Sequence, residues 1–172
     1  MEERQSLAAS LTEEDGYQAL RDHVVTKALL ARERHGPEID EGALLRVLLD
    51  PEIVRFPTVV RFDSGALHPG EFAWPEPRGE NPRDGFVLVV HRRFENRPAD
   101  LPLLLAYHVV AINYLDIATH VEAELFGATL LGMEVDEYYE RVCALADELP
   151  RPEPPSFELP PPEVSSPGAC GH

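Results

Sequence analysis

The sequence predicts one α+β domain over residues 1–149, followed by a Pro-rich flexible tail over 150–172. Three observations carry that prediction. Apolar residues recur at helical spacing between Tyr17 and Ala31 and again between Ala43 and Leu48. Three short segments rich in β-branched and aromatic residues lie between Thr58 and His91. The longest apolar stretch of the chain then runs from Leu101 to Met133. Helices, then strands, then helices give two N-terminal helices, a small three-stranded antiparallel sheet and three C-terminal helices.

The first helix has two capping pairs on offer, Ser10 with Glu13 and Thr12 with Asp15, ahead of Tyr17, Leu20, Val24, Ala28 and Ala31 at helical spacing. It ends at Gly36-Pro37. Asp40 caps a shorter second helix carrying Ala43, Leu44, Val47 and Leu48, stopped by Asp50-Pro51. Thr58 to Phe62 has strand composition, Asp63-Ser64-Gly65 is a turn, Glu71 to Trp74 reads as a return strand and Phe86 to His91 as a third. The loop before that third strand is too rich in Pro, Gly and Asn to build a core. Phe72 and Trp74, isolated aromatics beside a sheet, are expected to be buried.

Between Leu101 and Leu115 only His108, Asn113 and the tyrosine hydroxyls interrupt an apolar surface, so a helix here is hydrophobic all round and must be buried. Asp100 is its expected N-cap, with Pro102 in the first turn. Membrane crossing needs ~20 apolar residues, and Pro102, His108, Asn113 and Asp116 make this run too short and too polar. Thr119 and Glu122 form a capping box that starts a new helix and breaks the run near Leu115 to Ala118. That helix is expected to bury Val121, Leu125, Phe126, Ala128, Leu130 and Leu131 and to stop at Gly132. Asp136 caps a last helix through Tyr138, Tyr139, Val142, Cys143, Leu145 and Leu149. From Pro150 onward the chain holds 8 of its 17 prolines and little that could pack.

At 172 residues with 44% hydrophobic content, the chain can bury a substantial core without staples. A net charge of -16 argues against phosphate-backbone binding, which draws its affinity from Lys and Arg, and suits a soluble protein or one with a basic partner. The acidic N-terminus lacks the apolar segment of a secretory signal, so the expected location is the cytoplasm. Cys143 reads as a small core residue, and with Cys170 in the tail the two cysteines do not suggest a disulfide framework.

Polar groups that could carry chemistry concentrate in the central stretch. Asn113, Asp116, His120 and Glu124 lie three, four and four apart, so a continuous helix would line them on one face. Carboxylates beside His120 would favour its charged form or orient a neutral ring towards a metal. The same pattern also describes a solvated helix face with ordinary charge pairs. His108 reads first as a hydrogen-bonded core histidine and second as a ligand or acid–base group. Glu122 has a competing task as the capping-box partner of Thr119. On a straight helix His108 and Glu122 would stand roughly 20 Å apart, so only the break lets them share a ligand. His68, Glu71 and His91 sit near strand ends, where a cleft can form, and Arg92-Arg93 could hold an anion. His23 and His35 read as structural, and Cys170 with His172 as an incidental pair. The chain contains no G-x-S-x-G, P-loop, C-x-x-C or H-E-x-x-H.

The segment Glu122-Ala123-Glu124-Leu125-Phe126-Gly127-Ala128-Thr129-Leu130-Leu131 resembles the E-A-(N/D)-x-F-A-x-x-L-L segment of the ImmA/IrrE-type zinc metallopeptidases. In that family the preceding helix carries L-A-H-E-L-G-H. The matching place here is Leu105-Ala106-Tyr107-His108-Val109-Val110-Ala111, also after a small sheet. The resemblance covers residues 105–131 and implies a zinc-peptidase-like scaffold with Glu122 as the third ligand. In that register Tyr107 and Ala111 stand where both zinc-binding histidines belong, and His108 where the catalytic Glu belongs. A zinc peptidase needs three protein ligands, an open water position and a general base.

Two functions are therefore expected. The first is a non-catalytic acidic binding or regulatory protein on a degenerate zinc-peptidase-like scaffold, with a protein or peptide partner or a second copy of itself and no cofactor. The alternative is a metal-dependent hydrolase with a divalent metal such as zinc on His108, His120 and Glu122 or Glu124. Asp116 and Asn113 would stand behind those ligands.

Overall fold

A computed structural model describes residues 12–151. Among them are five α-helices and three strands: α1 (Glu13–His35), α2 (Glu41–Leu49), β1 (Thr58–Phe62), β2 (Ala73–Pro77), β3 (Phe86–Val90), α3 (Leu101–Tyr114), α4 (His120–Leu131) and α5 (Val135–Asp147). The fold is α+β. The Ser10 capping pair, the Cys170–His172 pair and nearly all of the expected tail lie outside the described residues.

Local chemistry sets most of the helix ends. Thr12 and Asp15 form the capping box of α1, Asp40 accepts from the Ala43 N–H at 2.8 Å to start α2, and Gly132 closes α4 in the left-handed region at φ 69°. Two expected caps differ. Asp100 makes no capping bond and instead accepts from Arg97 Nε at 2.7 Å. α5 starts one residue earlier than Asp136, with Glu134 at the cap and Asp136 inside the first turn, where its charge still favours the helix dipole.

The sheet is mixed rather than antiparallel. Its strand order is β1-β3-β2, with β3 parallel to β1 and antiparallel to β2. The reason lies in β3, the most apolar strand. Phe86, Leu88, Val89 and Val90 are all buried, so β3 takes the centre, while the half-exposed β1 and β2 become the edges. β2 also lies further along the chain than expected, ending in Pro75-Glu76-Pro77, prolines that read as loop residues but sit on an edge strand. Trp74 is 53% exposed, contrary to its expected burial. It stands across from Val89 in the sheet.

The core-facing side of the sheet packs on α3, which is buried along nearly all of its length and also touches α2, α4 and α5. α4 lies against both α1 and α3. Phe126, Ala128 and Leu130 are buried as expected, but Val121, in the first turn of α4, is 39% exposed. α5 approaches α4 through Gly127. Tyr138 lies against that glycine, fully buried, and donates from its hydroxyl to the Leu103 carbonyl at 2.6 Å. Cys143 is half-buried, at the margin of the core.

Candidate functional site

The chain breaks where the capping box required. α3 ends at Tyr114, Leu115 takes a positive φ of 52°, one 3-10 turn spans Leu115–Ile117, and α4 restarts at His120. Asn113, Asp116, His120 and Glu124 therefore do not share one helix face. Asp116 and His120 are exposed and Glu124 half-buried, whereas Asn113 is buried and fully engaged. Its Nδ2 donates to the Ile53 carbonyl at 2.7 Å and its Oδ1 accepts from the Arg55 N–H at 2.8 Å. Asn113 is a clamp that fastens the connection between α2 and β1 to α3.

Glu122, 1% exposed, is likewise committed. One carboxylate oxygen accepts from the Thr119 N–H at 2.7 Å and the Thr119 hydroxyl at 2.6 Å, and the other lies 3.6 Å from Arg21 Nε. Burial alone would raise its pKa, but the bonds from Thr119 and the Arg21 charge together hold it below the usual carboxylate range. It serves as a cap and an inter-helix ion pair. His108 has no such partner. Its Nε2 is buried without a hydrogen bond, its ring packs against Phe72 and Tyr107, and burial lowers its pKa to about 4. His108 and His120 do border the same cavity, of about 170 Å³, together with Tyr107, Ala111 and Ala123, so the break brings these two histidines to one place. It does not bring the carboxylates. Among the described residues no three His, Cys, Asp or Glu side chains converge closely enough to hold a metal ion, and the ligand set expected from the sequence does not fit one.

His68 and His91 share a different hollow, of about 300 Å³, bordered also by Ser64 and Leu149. Glu71 accepts from the His68 N–H at 2.9 Å and closes a local turn. His91 Nδ1 accepts from the Arg93 N–H at 3.1 Å. Arg92 and Arg93 are paired with Glu95 at 3.9 Å and Glu148 at 3.4 Å rather than left free for an anion. His35 is held by Asp50 at 2.8 Å, which also takes Arg34 at 2.8 Å. His23 meets the Tyr114 hydroxyl at 2.5 Å.

The feature without an internal explanation lies elsewhere. Along the outer edge of β1, between that strand and α2, runs an apolar groove of about 340 Å³. Leu45, Leu49, Val60, Phe62, Leu101 and Leu105 line it, and Glu41 is its one charged wall residue. Leu49 is 68% exposed and Leu45 39%. Among the described residues, no strand pairs with the outer edge of β1. In an extended strand the N–H and C=O of one residue point to the same side and alternate along the chain. Phe86 N donates to the Pro57 carbonyl and Asp63 N to the Val90 carbonyl, so odd-numbered residues face β3, while Thr58, Val60 and Phe62 direct their backbone groups to the outer edge, where Thr58, 1% exposed, is covered. The opposite edge differs. His91 N donates to the Phe72 carbonyl and Arg78 N to the Gly85 carbonyl, so Ala73, Pro75 and Pro77 face outward on β2, and two of those three have no N–H to offer. One edge of the sheet is blunted by proline and the other is not.

No protein-family model, curated protein or solved structure matches this chain. Sequence reasoning missed the groove because Leu45 and Leu49 lie in a helix whose stripe of Ala43, Leu44, Val47 and Leu48 already accounts for its burial. The available signal was the excess: six apolar residues in the nine of α2 cover more of its circumference than one buried face needs.

Proposed function

We propose that this chain is a non-catalytic binding protein that takes up an extended polypeptide segment as a fourth strand on the open edge of β1. One observation carries the reading: a proline-free strand edge with outward N–H and C=O groups at Val60 and Phe62 runs beside an apolar groove. Added strands gain affinity from main-chain hydrogen bonds and selectivity from pockets for alternate side chains. The groove between β1 and α2 would receive every second side chain of the incoming segment. The structural employment of Glu122 and Asn113 supports the non-catalytic half of the proposal, as does the presence of Tyr107 and Ala111 where the zinc-peptidase pattern calls for histidines.

Selection of a random-peptide library against the folded full chain tests it. Peptides with alternating apolar residues should be enriched on the wild type and lost on Val60→Pro, which removes one outward N–H while leaving the β1–β3 bonds intact. No enrichment, or enrichment indifferent to Val60→Pro, overturns the reading.

A second reading keeps one observation of its own, the shared cavity of His108 and His120. A metal-dependent hydrolase would draw on those two rings. Metal content after dialysis and add-back of Zn²⁺ distinguishes the two: stoichiometric metal that is lost on both His108→Ala and His120→Ala would favour the hydrolase. Metal that stays bound in those variants, or none at all, counts against it.

A further inference from the structure

We infer that the cleft between α1, the α2–β1 connection and the end of α3 binds a small oxyanion, a carboxylate or a phosphate, between Lys27 and Arg55. The inference is independent of the edge-binding reading. The cleft has a volume of about 310 Å³ and is bordered by His23, Lys27, Glu52, Arg55, Asn113 and Tyr114. The chain carries 31 Asp and Glu against 15 Lys and Arg, so carboxylates are plentiful as partners for its cations. Most of the described arginines meet one, Arg34, Arg61, Arg97 and Arg141 among them. Lys27, the one lysine of the chain, and Arg55 form no ion pair among the described residues, yet both border this cleft. Glu52 is the one carboxylate beside them, so the cleft keeps an excess of positive charge, against the sign of the molecule.

The fold brings the donors together from three elements. His23 and Lys27 are four residues apart on α1 and so share a face. Lys27 donates to the Glu52 carbonyl, which uses one of its three N–H groups and ties it to the α2–β1 connection. The Arg55 backbone N–H donates to Oδ1 of the buried Asn113 at 2.8 Å, and its guanidinium stands 5.1 Å from the centre of the Phe56 ring. Burial raises the pKa of Tyr114, so its hydroxyl keeps its proton and donates to His23 Nδ1 at 2.5 Å; a neutral His23 then carries its own proton on Nε2. An ammonium, a guanidinium and an imidazole N–H form a donor set suited to the oxygens of an anion. The carbonyl end of α3 opposes an anion here, but a helix end acts more weakly than charged hydrogen bonds do. The volume suits a small molecule, and the net charge of -16 disfavours a polyanion such as nucleic acid.

Calorimetric titration of the folded full chain at constant ionic strength tests the inference, with inorganic phosphate in one arm, malonate in a second and chloride in a third. An oxyanion should bind one to one and chloride should not. Phosphate alone assigns a phosphoryl ligand, malonate alone a carboxylate, and both together an oxyanion site that accepts either. Lys27→Met and Arg55→Met should each weaken binding about tenfold or more. Arg83→Met, the same loss of charge at an exposed residue outside the cleft, should leave it unchanged. Circular dichroism verifies that each variant folds. A second readout needs no variant: with one lysine in the chain, acetylation of Lys27 is followed directly by mass spectrometry, and the bound oxyanion should slow it several-fold relative to chloride. Binding of neither oxyanion above chloride, an affinity that survives both substitutions in the cleft, or acetylation indifferent to phosphate and malonate alike overturns the inference.

Discussion

His108 concentrates the electrostatic cost of this fold in one ring. A buried imidazole with no partner for Nε2 is tolerated while neutral and resists protonation, hence its pKa of about 4. In the unfolded chain the ring titrates near its ordinary 6.5, so below that pH the unfolded state binds more protons than the folded state, and stability falls as pH drops. From these values the loss between pH 7 and pH 5 is roughly 2 kcal/mol. His108→Phe should keep the aromatic packing, remove the unpaired nitrogen and flatten that dependence. Thermal unfolding at the two pH values checks it, and an equally steep decline in the variant would mean that other groups cause it. The acid sensitivity has a second component, lower on the pH scale. Burial opposes ionisation of Asp50, yet His35, the Glu52 N–H and Arg34 hold its pKa below the usual carboxylate range, so its stabilisation is present above that range and is lost as pH falls through the depressed value. At this scale the sequence was partly legible. The Thr119–Glu122 cap could be read because its partners are three residues apart. The tasks of Asn113 and Asp50 could not, because Ile53 and His35 come to them only through the fold.

Pairs of elements pack as closely as their smallest residues allow, and α4 against α5 is the tightest instance. A Cβ on Gly127 would lie 2.1 Å from Tyr138 Cζ, so the tyrosine ring occupies the space that any other residue would need. Gly127→Ala is expected to destabilise the protein by about 1–3 kcal/mol through overpacking. The double variant Gly127→Ala with Tyr138→Leu should cost less than the sum of the single changes, because both act on one contact. Additive losses in denaturant unfolding would show that the close approach is not the cause. The sequence placed both helices and the break before α4 correctly, since caps and periodicity are local signals. It could not order the strands. Which strand becomes central depends on which apolar run is covered on both faces, and that is decided by residues distant in the chain. The prolines of β2 pointed away from a strand for the same reason: proline is excluded only where its nitrogen must donate, and on that edge it need not.

At the scale of the molecule, the described residues form one hydrophobic core around α3, and no helix among them is long and apolar enough to cross a membrane. The cavities sort by chemistry around that core. One, about 850 Å³, is an open hollow lined by Arg32 and Arg141 as well as Glu38, Asp40 and Glu41, so it has no charge of one sign to hold a ligand. The groove at β1 is smaller but dry in composition, and its position beside an open edge makes it the surface with the most to gain from being covered. The difference between the two edges of the sheet has a consequence for growth. A sheet with two open edges can add copies without limit and build a fibre. Here Pro75 and Pro77 remove two outward N–H groups from the β2 edge, so strands could not be added at both edges in turn.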